Sequence, residues 1–420
     1  MKNNFCTFFL LIAILVSNYS FSKEIQCKLR GNVIGENSKY LVLVSQGKDA
    51  RNNGVKIPIV DGHFEHELKT PFVEQYTLVF GDELERGAFR PINFFAENGV
   101  VEFLLHSSQE FDKNTIKGGM LTNQKIAFEK EKKNIFESKA KEFSMEIGSL
   151  FKSNNYYSED VKAIQKKFKG LANGEELNKL YKMQDELLET EKGYNPKAWV
   201  LKNKLDSIQK TAFDWQNKYI KKNQDIFSYS LLFETFQNYK QYKKIVDLEA
   251  VSSLFLIYSK KYPSHPYTKQ IEEILNGIKT VKVGGQFIDF SAPTIEGKSV
   301  RVSEVIAGKV AIIDLWGSWC APCRVTSKSY IPVYEKYKDK GFVIVGVAGE
   351  FKNTDAYKIA IAKDKYPWLN LIELDNKNGI WNKYNISNSG GSTFLIDSKG
   401  KILAIHPDAE QLEKILKELL

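Results

Sequence analysis

A chain of 420 residues with 60 basic and 51 acidic side chains carries a formal charge of +9, a small surplus in a mixed-charge surface. No compact Lys/Arg block stands out, so the basic stripe that nucleic-acid binding needs is missing. A hydrophobic content of 43% with 26% charged residues is that of folded protein rather than disorder, and the length calls for more than one core.

The N-terminus reads as a targeting segment. Lys2 gives a positive start, residues 5–16 are apolar apart from Thr7, and residues 17–22 form a small, polar exit ending in Ser20-Phe21-Ser22. That is a secretory signal peptide over residues 1–22, and no later stretch has the roughly 18 apolar residues a membrane span needs. The mature chain is expected in the periplasm or cell envelope without a transmembrane span. Cys27 follows Glu24-Ile25-Gln26, polar where a lipoprotein signal wants aliphatic and small residues, so an ordinary thiol near the first strand is expected there.

Residues 23–118 carry short β-branched and aromatic runs at 40–44, 76–80 and 100–105. Turn pairs punctuate them at Asn53-Gly54, Asp61-Gly62, Asn98-Gly99 and Gly118-Gly119. They predict an antiparallel β-sandwich or barrel. Between residues 120 and 262 the only proline is Pro196, and apolar positions take helical spacing, as in Leu248, Val251, Phe255, Tyr258 and Tyr262. A helical segment over 119–278 is expected, with its aromatic stripe read as core. Tyr262-Pro263 to His265-Pro266 interrupts its last stretch.

From residue 281 to 420 the pattern turns α/β: a strand at 310–315, a helix at 321–340, a strand at 342–348, a helix at 354–365, a hairpin formed by 393–397 and 401–405, and a final helix at 409–420. This predicts a four-stranded mixed sheet covered by helices on both faces. The fold class expected for the whole chain is therefore multidomain α+β.

Four cysteines are present, and with Cys6 leaving on the signal peptide the only close pair is Cys320-Ala321-Pro322-Cys323. The pair follows a buried strand by a short turn, which places Cys320 at the first turn of a helix. Unpaired N–H groups and the helix dipole stabilise a thiolate there, and thiolate is the nucleophile in disulfide exchange. Cys323, one turn on, is placed to attack a mixed disulfide on Cys320. Pro322 suits a helix start, where its missing N–H costs nothing, and Trp319 is expected to cap the exposed side of the pair. A zinc site lacks a second ligand pair, a c-type haem site lacks the His that Arg324 replaces, and neither metal nor cofactor is expected. A plain structural disulfide is the remaining bland reading.

The stretch Ile313-Asp314-Leu315-Trp316-Gly317-Ser318-Trp319-Cys320-Ala321-Pro322-Cys323-Arg324 resembles the active site of thioredoxins, and within them the TlpA/ResA-like family of exported thiol–disulfide oxidoreductases. The resemblance covers residues 281–420. Residues 23–118 are similar, more weakly, to a β-rich domain of unknown function found ahead of such domains in bacterial envelope proteins. The resemblance implies a thioredoxin-like C-terminal fold, Cys320 as attacking cysteine, Cys323 as resolving cysteine and Asp314 as the buried acid that helps deprotonate it. A carboxylate at the end of a buried strand is desolvated and can accept a proton, which supports that role; Glu350 is a second acid that could face the pair. The family sets a cis-proline opposite the cysteines, where this chain has Ser389-Gly390-Gly391-Ser392. Trp319, Pro322, Gly390 and Gly391 are the residues expected to meet substrate.

The function expected is thiol–disulfide exchange with protein thiols and disulfides, in the reductant direction by family analogy, with an upstream redox partner. A thiol peroxidase of the peroxiredoxin type is the alternative, but the proline and Thr/Ser it uses are Ile313 and Gly317 here. A third reading is an envelope binding or assembly protein with an auxiliary redox pair.

Overall fold

The structure is a computed structural model that describes residues 24–420 apart from 36, 88, 169–174 and 387–389. Residues 1–23, with the expected signal peptide and Cys6, and Ser389 of the glycine loop lie outside the described residues. Among the described residues no helix is long and apolar enough to cross a membrane.

The N-terminal strands are β1 (Ile25–Ile34), β2 (Tyr40–Ser45), β3 (Val55–Pro58), β4 (His63–Thr70), β5 (Gln75–Phe80), β6 (Ile92–Phe95), β7 (Gly99–His106) and β8 (Thr115–Lys117). They make two four-stranded sheets, β4-β1-β7-β8 and β3-β2-β5-β6. Alternation decides which side chains enter: Val101, Phe103 and Leu105 of β7 are buried while Val100 and Glu102 point out. These residues meet Leu41, Leu43, Leu78 and Phe94 of the facing sheet in one apolar cluster, so the region is a sandwich. One pairing corrects the antiparallel expectation: β1 runs parallel to β7. Two strands far apart in sequence can pair in either sense, and local patterning says nothing about which. Cys27 is a free thiol buried in this core, and desolvation pushes its pKa up.

The middle of the chain is helical, built around the long helix Pro196–Asn223 and the shorter Ile226–Gln237, Leu248–Lys261 and Pro266–Thr280. Asp225 and Asp247 cap the second and third of these by accepting backbone N–H groups. The prolines at 263 and 266 separate the last two, with Pro266 in the first turn of its helix. Val251, Phe255 and Tyr258 bury one face against Phe227, Tyr229, Phe233 and Tyr267. The helices also close one end of the sandwich. Tyr267 Oη accepts from Gln75 N at 2.9 Å, Thr122 Oγ1 from Phe95 N at 3.0 Å, and the His265 ring meets Val73 O at 3.0 Å.

After a short hairpin of β9 (Ser291–Pro293) and β10 (Ser299–Arg301), the C-terminal sheet is built from β11 (Val310–Trp316), β12 (Phe342–Glu350), β13 (Leu369–Leu374), β14 (Ser392–Ile396) and β15 (Ile402–Ile405). Its order is β13-β12-β11-β14-β15, five strands rather than the four expected. The additional strand, β13, carries Asn370 and Glu373 among its six residues, which hides it from a hydrophobicity reading. β11 and β12 are parallel with Asp314 opposite Gly346, while β14 is antiparallel to β11 with Thr393 opposite Asp314. Separate apolar clusters cover the two faces of the sheet. The helix expected over 321–340 is two, Ala321–Ser329 and Ile331–Tyr337, with the break at Tyr330, because Pro332 lacks the N–H that would continue the first helix.

Tyr267→Phe removes the acceptor of the buried Gln75 N–H between helices and sandwich. A loss of about 1–3 kcal/mol in denaturant unfolding is expected, and a variant as stable as the parent would show that this bond does not hold the two regions together.

Candidate functional site

β11 is buried along its whole length and ends at Trp316, and the chain turns through Gly317-Ser318-Trp319 into the helix Ala321–Ser329. Cys320 caps that helix: its Sγ accepts from Cys323 N at 3.3 Å, a donor that stabilises negative charge on the sulfur. Cys320 and Cys323, both half-buried, are joined as a disulfide. Pro322 lies exposed in the first helical turn.

Two clamps hold the turn. The Glu350 carboxylate at the end of β12 accepts from Ser318 N at 2.8 Å and Ser318 Oγ at 2.7 Å; burial pushes its pKa up and these bonds oppose the rise. From the other side Arg324 grips the buried Asp364 with two bonds, 2.6 and 3.0 Å, and reaches Ser318 O at 3.3 Å. Burial raises the Asp364 pKa, but Arg324 and Lys328 outweigh it and hold it down to about 2. Glu350 therefore positions the turn that precedes Cys320.

Asp314 lies on β11 beneath the active-site helix, 1% exposed. Ser327 Oγ stands 2.6 Å from its Oδ2 and 3.0 Å from the carbonyl of Cys323, linking the acid to the second cysteine of the pair. Burial raises the Asp314 pKa to about 7, against the lowering effect of the Ser327 bond. A carboxyl group poised there changes protonation in the range where thiol exchange operates.

Trp319 is 40% exposed and does not lie free over the pair. Its Nε1 donates to Gly349 O at 2.9 Å and its ring packs 5.8 Å from Phe351. Arg51 of the N-terminal sandwich sets its guanidinium 5.3 Å from the Phe351 ring centre, so that region reaches the rim of the site.

Opposite the helix, Gly390 O accepts from Trp381 Nε1 at 2.8 Å, and Gly391 passes close to the cysteines. A Cβ on Gly391 would stand 2.3 Å from Leu315 O and 2.8 Å from Cys323 Sγ. Close approach is thus what glycine provides at 391; positive φ is not, since Gly391 does not adopt it. Among the described residues there is no cis peptide bond.

Cys320, Cys323, Asp314, Trp319, Pro322 and Gly391 fall in one region of the molecule, and Gly390 is held at its edge. Sequence reasoning missed Ser327, Arg324, Asp364 and Arg51. Ser327 had a signal: it is four residues after Cys323, so one helical face carries both. The Arg324–Asp364 pair and the Arg51 contact span 40 residues and two regions of the chain, and nothing local marks them. Among the described residues no cluster of His, Cys, Asp and Glu could hold a metal ion.

Both ends of the chain resemble known proteins in sequence. Residues 283–405 match the AhpC/TSA family and residues 27–124 a domain of unknown function, DUF4369. A thiol:disulfide interchange protein DsbE of Pseudomonas fluorescens biotype C is 33% identical over 122 residues, which are 29% of this chain and 64% of that protein. The thiol-disulfide oxidoreductase ResA of Bacillus thuringiensis (strain Al Hakam) is 28% identical over 144 residues, 33% of this chain and 79% of that one. Among solved structures, the thioredoxin domain of a thiol-disulfide oxidoreductase from Bacteroides vulgatus is 26% identical, covering 33% of this chain and 98% of its own, with a TM-score of 0.30. The C-terminal third of this chain is a thioredoxin-like domain of the AhpC/TSA family, similar to thiol-disulfide oxidoreductases and carried behind an N-terminal DUF4369 domain.

Proposed function

We propose that this protein is an exported thiol–disulfide oxidoreductase that reduces disulfides of protein substrates, with the sandwich (23–118), the helical segment (119–278) and the thioredoxin-like region (281–420) as its units. The observation that carries the reading is the Cys320–Cys323 disulfide at the start of a helix whose Ser327 bonds a buried carboxyl group, Asp314, with a pKa raised to about 7. The names of the relatives support the reaction class, and the apolar N-terminal segment supports export to the periplasm or envelope.

In the reduced protein the Cys320 thiolate attacks one sulfur of a substrate disulfide. A mixed disulfide forms and the other substrate sulfur leaves as thiolate. Asp314, ionised, takes the proton of Cys323, with Ser327 holding the carboxylate in place. The Cys323 thiolate then attacks Cys320 Sγ, the protein disulfide forms, and the second substrate thiolate is released. Two electrons have passed to the substrate, so an upstream dithiol partner must reduce the pair before the next turnover. Trp319, Pro322, Gly390 and Gly391 are the surface against which the substrate chain docks. Exchange of this kind needs no metal or cofactor.

Cys320→Ser should abolish catalysed reduction of a protein disulfide by a dithiol donor, and Cys323→Ala should accumulate the mixed disulfide, read on non-reducing gels. Undiminished turnover in Cys320→Ser, or rapid consumption of peroxide without a disulfide substrate, would sink this reading in favour of a binding protein or a thiol peroxidase.

Asp314→Asn tests the buried acid in two ways. The resolving step should slow at least about tenfold near neutral pH, within the usual reach of a positioned proton acceptor. Stability should also respond, with a worked sign. The folded pKa of about 7 lies above the unfolded value, so ionisation favours the unfolded chain and the parent loses stability as pH rises from about 4 to 7, on the order of 4 kcal/mol in all. The Asn variant should lack that loss in denaturant titrations at pH 4 and 8; equal pH dependence in both proteins contradicts it.

Gly391→Ala forces a methyl group against Leu315 O and Cys323 Sγ. A stability loss of about 1–3 kcal/mol is expected from overpacking, together with slower exchange, and a neutral variant would show that the loop yields freely.

A further inference from the structure

Asp314 belongs to a row of positions that crosses the sheet at one level. Thr393, Asp314, Gly346 and Asn370 are successive cross-strand partners on β14, β11, β12 and β13. Such partners share one side of a sheet, here the side under the active-site helix, where Ser327 meets Asp314. Between Asp314 and Asn370 the row has no side chain, because residue 346 is glycine.

What faces that position is polar. A Cβ on Gly346 would stand 2.7 Å from Asn370 Oδ1, 3.2 Å from Trp368 Nε1 and 3.3 Å from Trp316 Nε1, and these are its three nearest neighbours. All three atoms are buried without a hydrogen-bond partner. Trp316 and Trp368 are themselves 0% and 6% exposed. Asn370 Nδ2 donates to Trp368 O at 2.7 Å, which fixes the amide with its oxygen turned to the same place. Unmet groups of this kind cost about 1–3 kcal/mol each, and proteins meet such clusters with buried water. Two donors and one acceptor are the complement of one water molecule. It accepts from both indoles, gives one proton to Asn370 Oδ1, and keeps its second for the next position in the row, the Asp314 carboxylate one strand away.

We propose that the site above Gly346, formed by Trp316, Trp368 and Asn370, binds a water molecule that carries the proton of Asp314 to and from solvent at the β13 edge. This rests on the reading that Asp314 takes the Cys323 proton. The balance is simple: the thiol gives its proton to Asp314, Asp314 gives it to the bound water, and the water passes a proton outward past Asn370. No electrons move, and Asp314 returns to carboxylate for the next cycle. β13 is the edge strand and Asn370 is only half-buried, so the row opens to solvent there, away from the docking side of the cysteines. Gly346 is then a positioning residue, because any side chain would displace the water.

The test uses the full mature chain. A crystal structure that resolves ordered solvent should place one water about 2.7–3.2 Å from all three atoms; clear density without it overturns the site, whatever Asp314 does. Gly346→Ala should slow the resolving step about tenfold near pH 7 and shift its pH profile, while the first attack by Cys320 on a small disulfide keeps its rate. Trp368→Phe keeps an aromatic side chain and removes the indole donor, so a smaller slowing in the same direction is expected even if the alanine variant folds poorly. If Asp314→Asn alters the pH profile but Trp368→Phe and Gly346→Ala leave it unchanged, the route is wrong and the acid's role stands. If Asp314→Asn itself leaves the profile unchanged, the acid's role falls and the route with it.

Discussion

A carboxyl group on the central strand of a five-stranded sheet is the constraint around which the C-terminal region is arranged. Desolvation makes ionised Asp314 costly, and a single hydroxyl, Ser327 Oγ at 2.6 Å, is the hydrogen-bond donor the protein brings to Oδ2. The contrast with Asp364 is instructive. That side chain is also buried, yet Arg324 and Lys328 hold it ionised, down to about 2. One carboxylate is fixed as a charge that anchors the helix bearing the cysteines. The other is left close to balance between its two protonation states, which suits proton transfer rather than anchoring.

The cysteines depend on the same frame. Cys320 is presented at a helix start because the buried strand β11 ends one short turn earlier, and Glu350 and Arg324 hold that turn from opposite sides through Ser318. Gly391 lets the facing strand approach until nothing larger would fit beside Cys323 Sγ. The N-terminal sandwich is not a detached appendage: Arg51 stacks on Phe351, which in turn packs on Trp319. The helical segment joins the sandwich through Tyr267, Thr122 and His265, and its last helix approaches so closely that a Cβ on Gly277 would stand 2.6 Å from Lys383 O. The rim around the cysteine pair is thus shaped by more than the thioredoxin-like region.

Much of this was legible in the sequence where signals are local. The Cys-x-x-Cys spacing, the apolar run of β11, the helix start at Pro322, the turn glycines of the sandwich and the 3.6-residue stripe around Val251, Phe255 and Tyr258 each declare themselves within a few residues. The sandwich, the helical middle and the α/β end were readable for that reason. β13 was not, because Asn370 and Glu373 break its hydrophobic pattern, and their hydrogen bonds, to Trp368 O and from Asn378 and Gly379, form only once the strand and its following turn are in place. The single helix expected over 321–340 is divided at Tyr330 because Pro332 has no N–H to give the carbonyl of Lys328 four residues back.

What the sequence determined alone is the chemistry available: two thiols one helical turn apart, and an acid six residues before the first. Tertiary structure decided how that chemistry is set. It chose the parallel pairing of β1 with β7, the Arg324–Asp364 clamp, the reach of Arg51 to the active-site rim, and the convergence of Trp316, Trp368 and Asn370 over Gly346. Each joins residues distant in the chain, and such contacts follow from the packing of whole layers rather than from the propensity of any one segment.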